Sequence, residues 1–127
     1  MIYLDSNIII RFVEGVPATR EPIRQRLQGE AALVTSRLSR IECRCHPMSR
    51  SDAIVLGLFD TFFSSPELTL ATIDDPVTEE ATSIRSRYRF RTPDAIHLAS
   101  AMIAGATAFL TGDLQLTQFT GIAVEII

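Results

Sequence analysis

Asp5, Glu42, Asp94 and Asp113 are carboxylates standing where the strand and helix patterns of this chain would otherwise carry something else. If folding gathers them within about 4 to 6 Å, each close pair costs roughly 4 kcal/mol at an effective dielectric of 20, so the cluster requires a cation. Donors that are all carboxylate oxygen favour a hard ion, Mg²⁺ with Mn²⁺ as the alternative, that keeps several waters. Such an ion lowers the pKa of a water, orients it and neutralises charge on a phosphoryl group. Taken singly, each acid also has a local reading. Asp5 stands where it would cap a helix from Ser6, Asp94 lies in a first helical turn, and Asp113 is an N-cap position. Glu42 has less of a local role. On a wheel of about 100° per residue, Leu38, Ile41 and Cys45 form an apolar stripe, Arg37, Arg40 and Arg44 a basic one, and Glu42 borders the apolar side.

The elements that must position these acids follow from periodicity and punctuation. Ile2-Tyr3-Leu4 is a strand ending at Asp5, followed by a helix over Ser6 to Glu14; Pro17 opens a second helix to Gln28, stopped by Gly29. Ala31 to Thr35 is a strand, and a helix runs from Ser36 to His46 with Pro47 beyond it. Ile54, Val55, Leu58, Phe59, Phe62 and Phe63 follow the helical period. Leu68 to Ile73 is a strand, Asp75-Pro76 opens a helix to Tyr88, and Thr92-Pro93 opens an apolar, buried helix to Gly105. Ala106 to Leu110 is a strand, Asp113 to Phe119 a short helix, and Ala123 to Ile127 a last strand. Strands alternating with helices predict an α/β fold whose central sheet is mostly parallel and covered on both faces. In such sheets the ligand site lies beyond the carboxyl ends of the strands, where Asp5 and Asp113 fall.

The 127 residues suit one domain, 1–127. The longest uncharged stretch, Ala95 to Gly112, is broken by Gly105 and is shorter than the roughly 20 residues of a membrane span, so no membrane association is expected. The start of the chain lacks the basic region of a signal peptide, and a cytoplasmic protein is expected. Cys43 and Cys45 lie about 200° apart on their helix and read as reduced thiols rather than, with His46, a zinc site. A net charge of −3 opposes coating of nucleic acid by bulk charge, so any such contact is local. All twelve basic residues are arginine. A receiver domain is disfavoured because the chain has no lysine, and a phosphatase of the Asp-x-Asp type because position 7 is Asn.

Ile2-Tyr3-Leu4-Asp5-Ser6-Asn7, Ser39-Arg40-Ile41-Glu42-Cys43-Arg44, Thr92-Pro93-Asp94-Ala95-Ile96-His97-Leu98-Ala99 and Leu110-Thr111-Gly112-Asp113 together resemble the PIN-domain family, and within it the VapC-type toxin ribonucleases of type II toxin–antitoxin systems. The resemblance spans essentially the whole chain. It implies a three-layer α/β/α sandwich and a metal-dependent endoribonuclease in which Asp5, Glu42, Asp94 and Asp113 are catalytic and hydrolyse RNA phosphodiesters with a metal-activated water. Asp5, Asp94 and Asp113 are then the metal ligands, Glu42 a ligand or water-orienting base, and Asn7 and Thr111 support the site. It further implies a homodimer, a small cognate antitoxin and a prokaryotic cytoplasm. Gly112 stands where the family often has Asn, and no acid follows Asp113 before Glu125, so the choice between one ion and two stays open. A catalytically idle PIN fold acting as a binding module is the alternative, which metal titration discriminates.

Two arginine groups lie near these acids. Arg40 and Arg44 belong to the basic stripe on the Glu42 helix, and Arg89 and Arg91 precede Asp94; each is a candidate for contact with RNA phosphate or with an acidic antitoxin segment, or for a solvated surface. His97, three residues after Asp94, is expected to be a packed core histidine and receives no chemical role.

Overall fold

Residues 1–127 are described by a computed structural model. The elements are β1 (Ile2–Leu4), α1 (Ser6–Glu14), α2 (Pro17–Leu27), β2 (Leu33–Ser36), α3 (Arg37–Ser49), α4 (Ala53–Phe63), β3 (Leu68–Ala71), α5 (Asp75–Arg87), α6 (Thr92–Ala104), β4 (Ala108–Thr111), a 3-10 helix (Leu114–Gln118) and β5 (Ala123–Ile126). The five strands line up as β3-β2-β1-β4-β5, and every pairing is parallel. The α/β/α sandwich expected from the alternation is the observed architecture.

Side-chain alternation along the strands makes the two cores. Ile2 and Leu4 of β1, with Ala108 and Leu110 of β4, face Ile8 and Ile9 of α1, Ile23 of α2, Cys43 of α3, and Phe59 and Phe63 of α4. Tyr3, Val34 and Phe109 point the other way, onto Val77, Ala81 and Ile84 of α5, Ala95, Leu98 and Ala99 of α6, and Leu116 of the 3-10 helix. Tyr3 is in register with both Val34 and Phe109, and its ring stacks on Phe109 with centroids 4.9 Å apart. The chain winds outward from β1 through β2 to β3, then returns to place β4 on the other side of β1. The strand order therefore reverses between β1 and β4, the position at which open α/β sheets bind ligands.

Side-chain caps start most helices. Asp5 accepts from Ser6 N, Ser36 from Leu38 N, Asp52 from Val55 N, Asp74 from Val77 N and Asp113 from Gln115 N. Three local readings of the sequence are corrected. The helix expected to stop at His46 continues through Pro47 to Ser49. Pro47 is buried, and the stop comes where Ser51 takes the left-handed conformation (φ 55°), with Ser51 N bonded to Met48 O and Asp52 N to Pro47 O. The buried face of α3 is Ser39, Cys43 and Pro47, whereas Ile41 is 64% exposed and Cys45 is exposed. At the sheet end that face meets the Thr35 and Ser6 hydroxyls, so it carries the Ser39 hydroxyl and the Cys43 thiol in place of the expected apolar stripe. In α6, which was expected to be buried, Met102 and Ile103 of the last turn are exposed.

Candidate active site

β1 delivers Asp5 to the carboxyl end of the sheet, where its backbone N–H is held by Leu110 O of β4 at 3.0 Å. Asp5 is buried, and three donors surround its carboxylate. Oδ1 accepts from Ser6 N (2.8 Å), and Oδ2 accepts from Thr111 Oγ1 (2.7 Å) and Asn7 Nδ2 (3.1 Å). Burial pushes the Asp5 pKa up, and the nearby Asp94 charge adds to the rise, while His97, the Thr111 hydroxyl and the Ser6 amide pull it back only in part. Asn7 and Thr111 also tie the first segment of the chain to the end of β4. Asn7 Oδ1 accepts from Gly112 N (2.8 Å), and Thr111 Oγ1 accepts from Asp113 N (3.1 Å). A Cβ at Gly112 would lie 3.0 Å from Arg11 Nη2 and 3.4 Å from Asn7 Oδ1, so this glycine admits a close approach that a larger residue would push apart.

Glu42 reaches the same region from α3. Its Oε1 accepts from Ser6 Oγ (2.7 Å) and is 2.5 Å from His97 Nε2. His97 Nε2 also lies 3.8 Å from Asp5 Oδ1. Burial by itself would raise the Glu42 pKa, but the His97 and Ser6 contacts and the Arg91 charge outweigh it, and the group is held below its ordinary range. His97, placed by sequence in the core without a role, is buried as expected but is a junction of the site. The sequence signal was its position three residues after Asp94 on α6; its partners Tyr3 and Glu42 are 94 and 55 residues away along the chain.

Seven of the eight buried polar residues form one hydrogen-bonded system around Asp5 and Glu42, and only Ser100, bonded to Ile96 O within its own helix, stands apart. Thr35 Oγ1 donates to Leu4 O and lies 2.7 Å from Ser39 Oγ, which lies 3.0 Å from Ser6 Oγ. No buried side-chain nitrogen or oxygen is left without a partner, as a low-dielectric interior demands.

Asp94 and Asp113 flank this system from α6 and from the turn after β4. Arg91 Nε contacts Asp94 Oδ2 at 3.3 Å, with Arg91 79% and Asp94 13% exposed, and the Arg91 charge also reaches Glu42. Asp113 spends Oδ1 on Gln115 N (3.0 Å). No three His, Cys, Asp or Glu side chains stand together at the spacing of a metal's ligand set, so the four acids border one sheet end without closing on a common point. The donor chemistry nevertheless suits a hard cation. The protein's bonds to Glu42, Asp94 and Asp113 go to Oε1, Oδ2 and Oδ1, leaving the second oxygen of each to solvent.

Among the other arginines singled out, Arg44 Nε pairs with Asp60 of α4 at 2.9 Å, and Arg40 lies 3.9 Å from the same carboxylate and over the Phe63 ring. Arg89 is exposed. The Cys43 thiol, buried against Ser6 O, is pushed up in pKa by that burial, and both cysteines are free.

Three solved structures share this architecture. They are VapBC2 from Rickettsia felis bound to a DNA fragment from their promoter (17% identity, TM-score 0.79, covering 99% of this chain and 98% of that one), a toxin–antitoxin complex from Klebsiella pneumoniae (18%, 0.76, 97% and 96%), and VapC20 of Mycobacterium tuberculosis, a sarcin–ricin loop cleaving toxin (15%, 0.74, 97% and 99%). A comparison with curated proteins gives no match. Residues 2–122 match the PIN domain, so the span from β1 to just before β5, with all four acids in it, places the chain in the PIN-domain family.

Proposed function

We propose that this protein is a divalent-metal-dependent endoribonuclease, the toxin of a type II toxin–antitoxin pair. The observation that carries the reading is the placement of Asp5, Glu42, Asp94 and Asp113 around the sheet end where strand order reverses, on a PIN fold. Asp5, Asp94 and Asp113 are the residues that would hold Mg²⁺ or Mn²⁺. When bound, the ion supplies a Lewis acid that lowers the pKa of a water and neutralises phosphoryl charge. Glu42, fixed through Oε1, offers Oε2 to orient the attacking water and receive its proton. Asn7 and Thr111 hold Asp5 Oδ2 in place. Because water is the nucleophile, no 2′-hydroxyl is needed, and cleavage leaves a 5′-phosphate and a 3′-hydroxyl. Arg89 and Arg91 stand on the approach to Asp94 as phosphate or antitoxin contacts, whereas Arg40 and Arg44 are already engaged by Asp60. An ion held by Asp94 would take over the neutralisation that Arg91 supplies in its absence.

The similarity to toxin–antitoxin complexes supports a small antitoxin partner, and a homodimer in the prokaryotic cytoplasm belongs to the same reading. No helix is long and apolar enough to cross a membrane. The test is cleavage of a mixed RNA by purified protein with Mg²⁺ or Mn²⁺, beside an EDTA control and the Asp5→Asn variant. Cleavage lost in both controls supports the reading; no cleavage, or cleavage that survives Asp5→Asn, moves the protein to an idle binding module.

A further inference from the structure

The Tyr3 hydroxyl stands between a backbone donor and the His97 ring. Ser36 N, a group that can only donate, is 3.0 Å from the Tyr3 hydroxyl oxygen. The hydroxyl also neighbours the Thr35 side chain, and its 2.7 Å contact with His97 Nδ1, with Tyr3 as the donor, is the arrangement that leaves an Nε2–H for Glu42. The imidazole proton is then on Nε2, which faces Glu42 Oε1 at 2.5 Å and has Ser6 Oγ at 3.4 Å. Tyr3, Ser36 and His97 are all buried, and Tyr3 is held between Phe109, stacked on it, and His97, edge-on to it. Four elements meet here: β1 gives Tyr3, the end of β2 gives Ser36, α3 gives Glu42, and α6 gives His97.

We propose that His97 is a positioning residue for the nuclease reaction, its Nε2–H held between the Tyr3 hydroxyl on one side of the ring and the Glu42 carboxylate on the other, so that it anchors Glu42 Oε1 and turns Oε2 toward the acidic site. This rests on the role given to Glu42 above. Glu42 keeps about a third of its side chain exposed (35%), so two bonds to one oxygen are what confines it to a single orientation. A second carboxylate oxygen, Asp5 Oδ1, lies 3.8 Å from the same nitrogen. A merely packed histidine would need neither the directed Tyr3 bond nor a carboxylate at Nε2.

The first arm of the test needs no activity. The chain has two histidines, and His46 is exposed, so His46→Gln leaves a single imidazole for long-range ¹H–¹⁵N correlation in the metal-free protein. The expected result is a protonated Nε2 and unprotonated Nδ1, with the Nδ1 resonance moved in the additional Tyr3→Phe variant, which removes the donor to that nitrogen. A protonated Nδ1, or an Nδ1 resonance indifferent to Tyr3→Phe, overturns the proposal. The second arm is RNA cleavage. Removal of a residue that orients a metal-site group lowers activity by about 10- to 100-fold, and here the loss in His97→Leu and Tyr3→Phe falls on kcat with KM unchanged. His97→Gln, whose amide N–H still reaches Glu42, recovers most of the rate. An active parent with undiminished kcat in His97→Leu sinks the positioning role. An inactive parent sinks the nuclease reading instead, and the resonance measurement still decides whether His97 is held between Tyr3 and Glu42.

Discussion

Thr111→Val removes one oxygen and almost no volume from a fully buried site, so its cost can be worked from three bonds. Thr111 Oγ1 donates to the Asp5 carboxylate at 2.7 Å and accepts from Asp113 N at 3.1 Å and Asn7 Nδ2 at 3.3 Å. A hydrogen bond to a charged group contributes about 1.5 to 3 kcal/mol, and a partly buried amide left unpaired costs about 1 kcal/mol, so the variant loses about 3 kcal/mol. With an unfolding entropy of about 0.27 kcal/mol/K for a chain of this length, Tm falls by about 11 °C. The loss depends on pH in a stated direction. The folded Asp5 pKa is raised, so Asp5 favours the folded state below its unfolded value and that contribution is lost as pH rises through the folded one. The Thr111 bond opposes this rise because it favours the carboxylate. Its removal therefore costs more at about pH 7 than at about pH 3.5, because Asp5 moves toward its ionised form as the pH rises. Urea unfolding of parent, Thr111→Val and Thr111→Ser at both pH values makes the comparison; the serine variant keeps the hydroxyl, loses about 1 kcal/mol for a buried methyl and shows no pH dependence. A loss in Thr111→Val below about 1 kcal/mol, or equal at the two pH values, refutes the bonding scheme.

Arg91 is largely exposed, so Arg91→Ala changes stability by less than about 1 kcal/mol, yet it removes the cation resting on Asp94 and should tighten Mn²⁺ binding by up to about fivefold at low salt. Isothermal titration calorimetry that finds weaker binding contradicts the exchange of Arg91 for an ion. Cys43 is buried with its thiol pKa raised, while Cys45 is exposed, so a thiol-specific disulfide reagent should modify one cysteine in the folded protein and both in urea. Rapid modification of both without denaturant would mean that α3 does not seal against Ser6.

Much of this arrangement was legible in the sequence because it is written in local patterns. Asp5 ends a three-residue apolar strand, Asp94 follows Thr92-Pro93 at a helix start, and Asp113 sits between β4 and a capped turn, so each could be placed at the sheet end from its neighbours alone. The rest depended on partners far apart in the chain. Ser6 meets Ser39 and Glu42 from 33 and 36 residues away, and no periodicity encodes that meeting. For the same reason the buried face of α3 was misread: Ile41 is the apolar residue, but the side facing the site must satisfy Ser6 and Thr35, and Ser39 does so. His97 looked like core because it is core, and its role appears only once β1 brings Tyr3 and α3 brings Glu42 against it. The end of α3 was missed because its stop is the left-handed Ser51 rather than Pro47, which the helix accommodates in a buried position.

The central claim is that the acids at the β1 and β4 ends form a cation site. It is tested most directly by soaking crystals of the protein in Mn²⁺ and locating the ion by anomalous scattering. The expected result is a peak bounded by Asp5, Asp94 and Asp113. A saturating soak that gives no peak there, or places Mn²⁺ elsewhere on the protein, contradicts it.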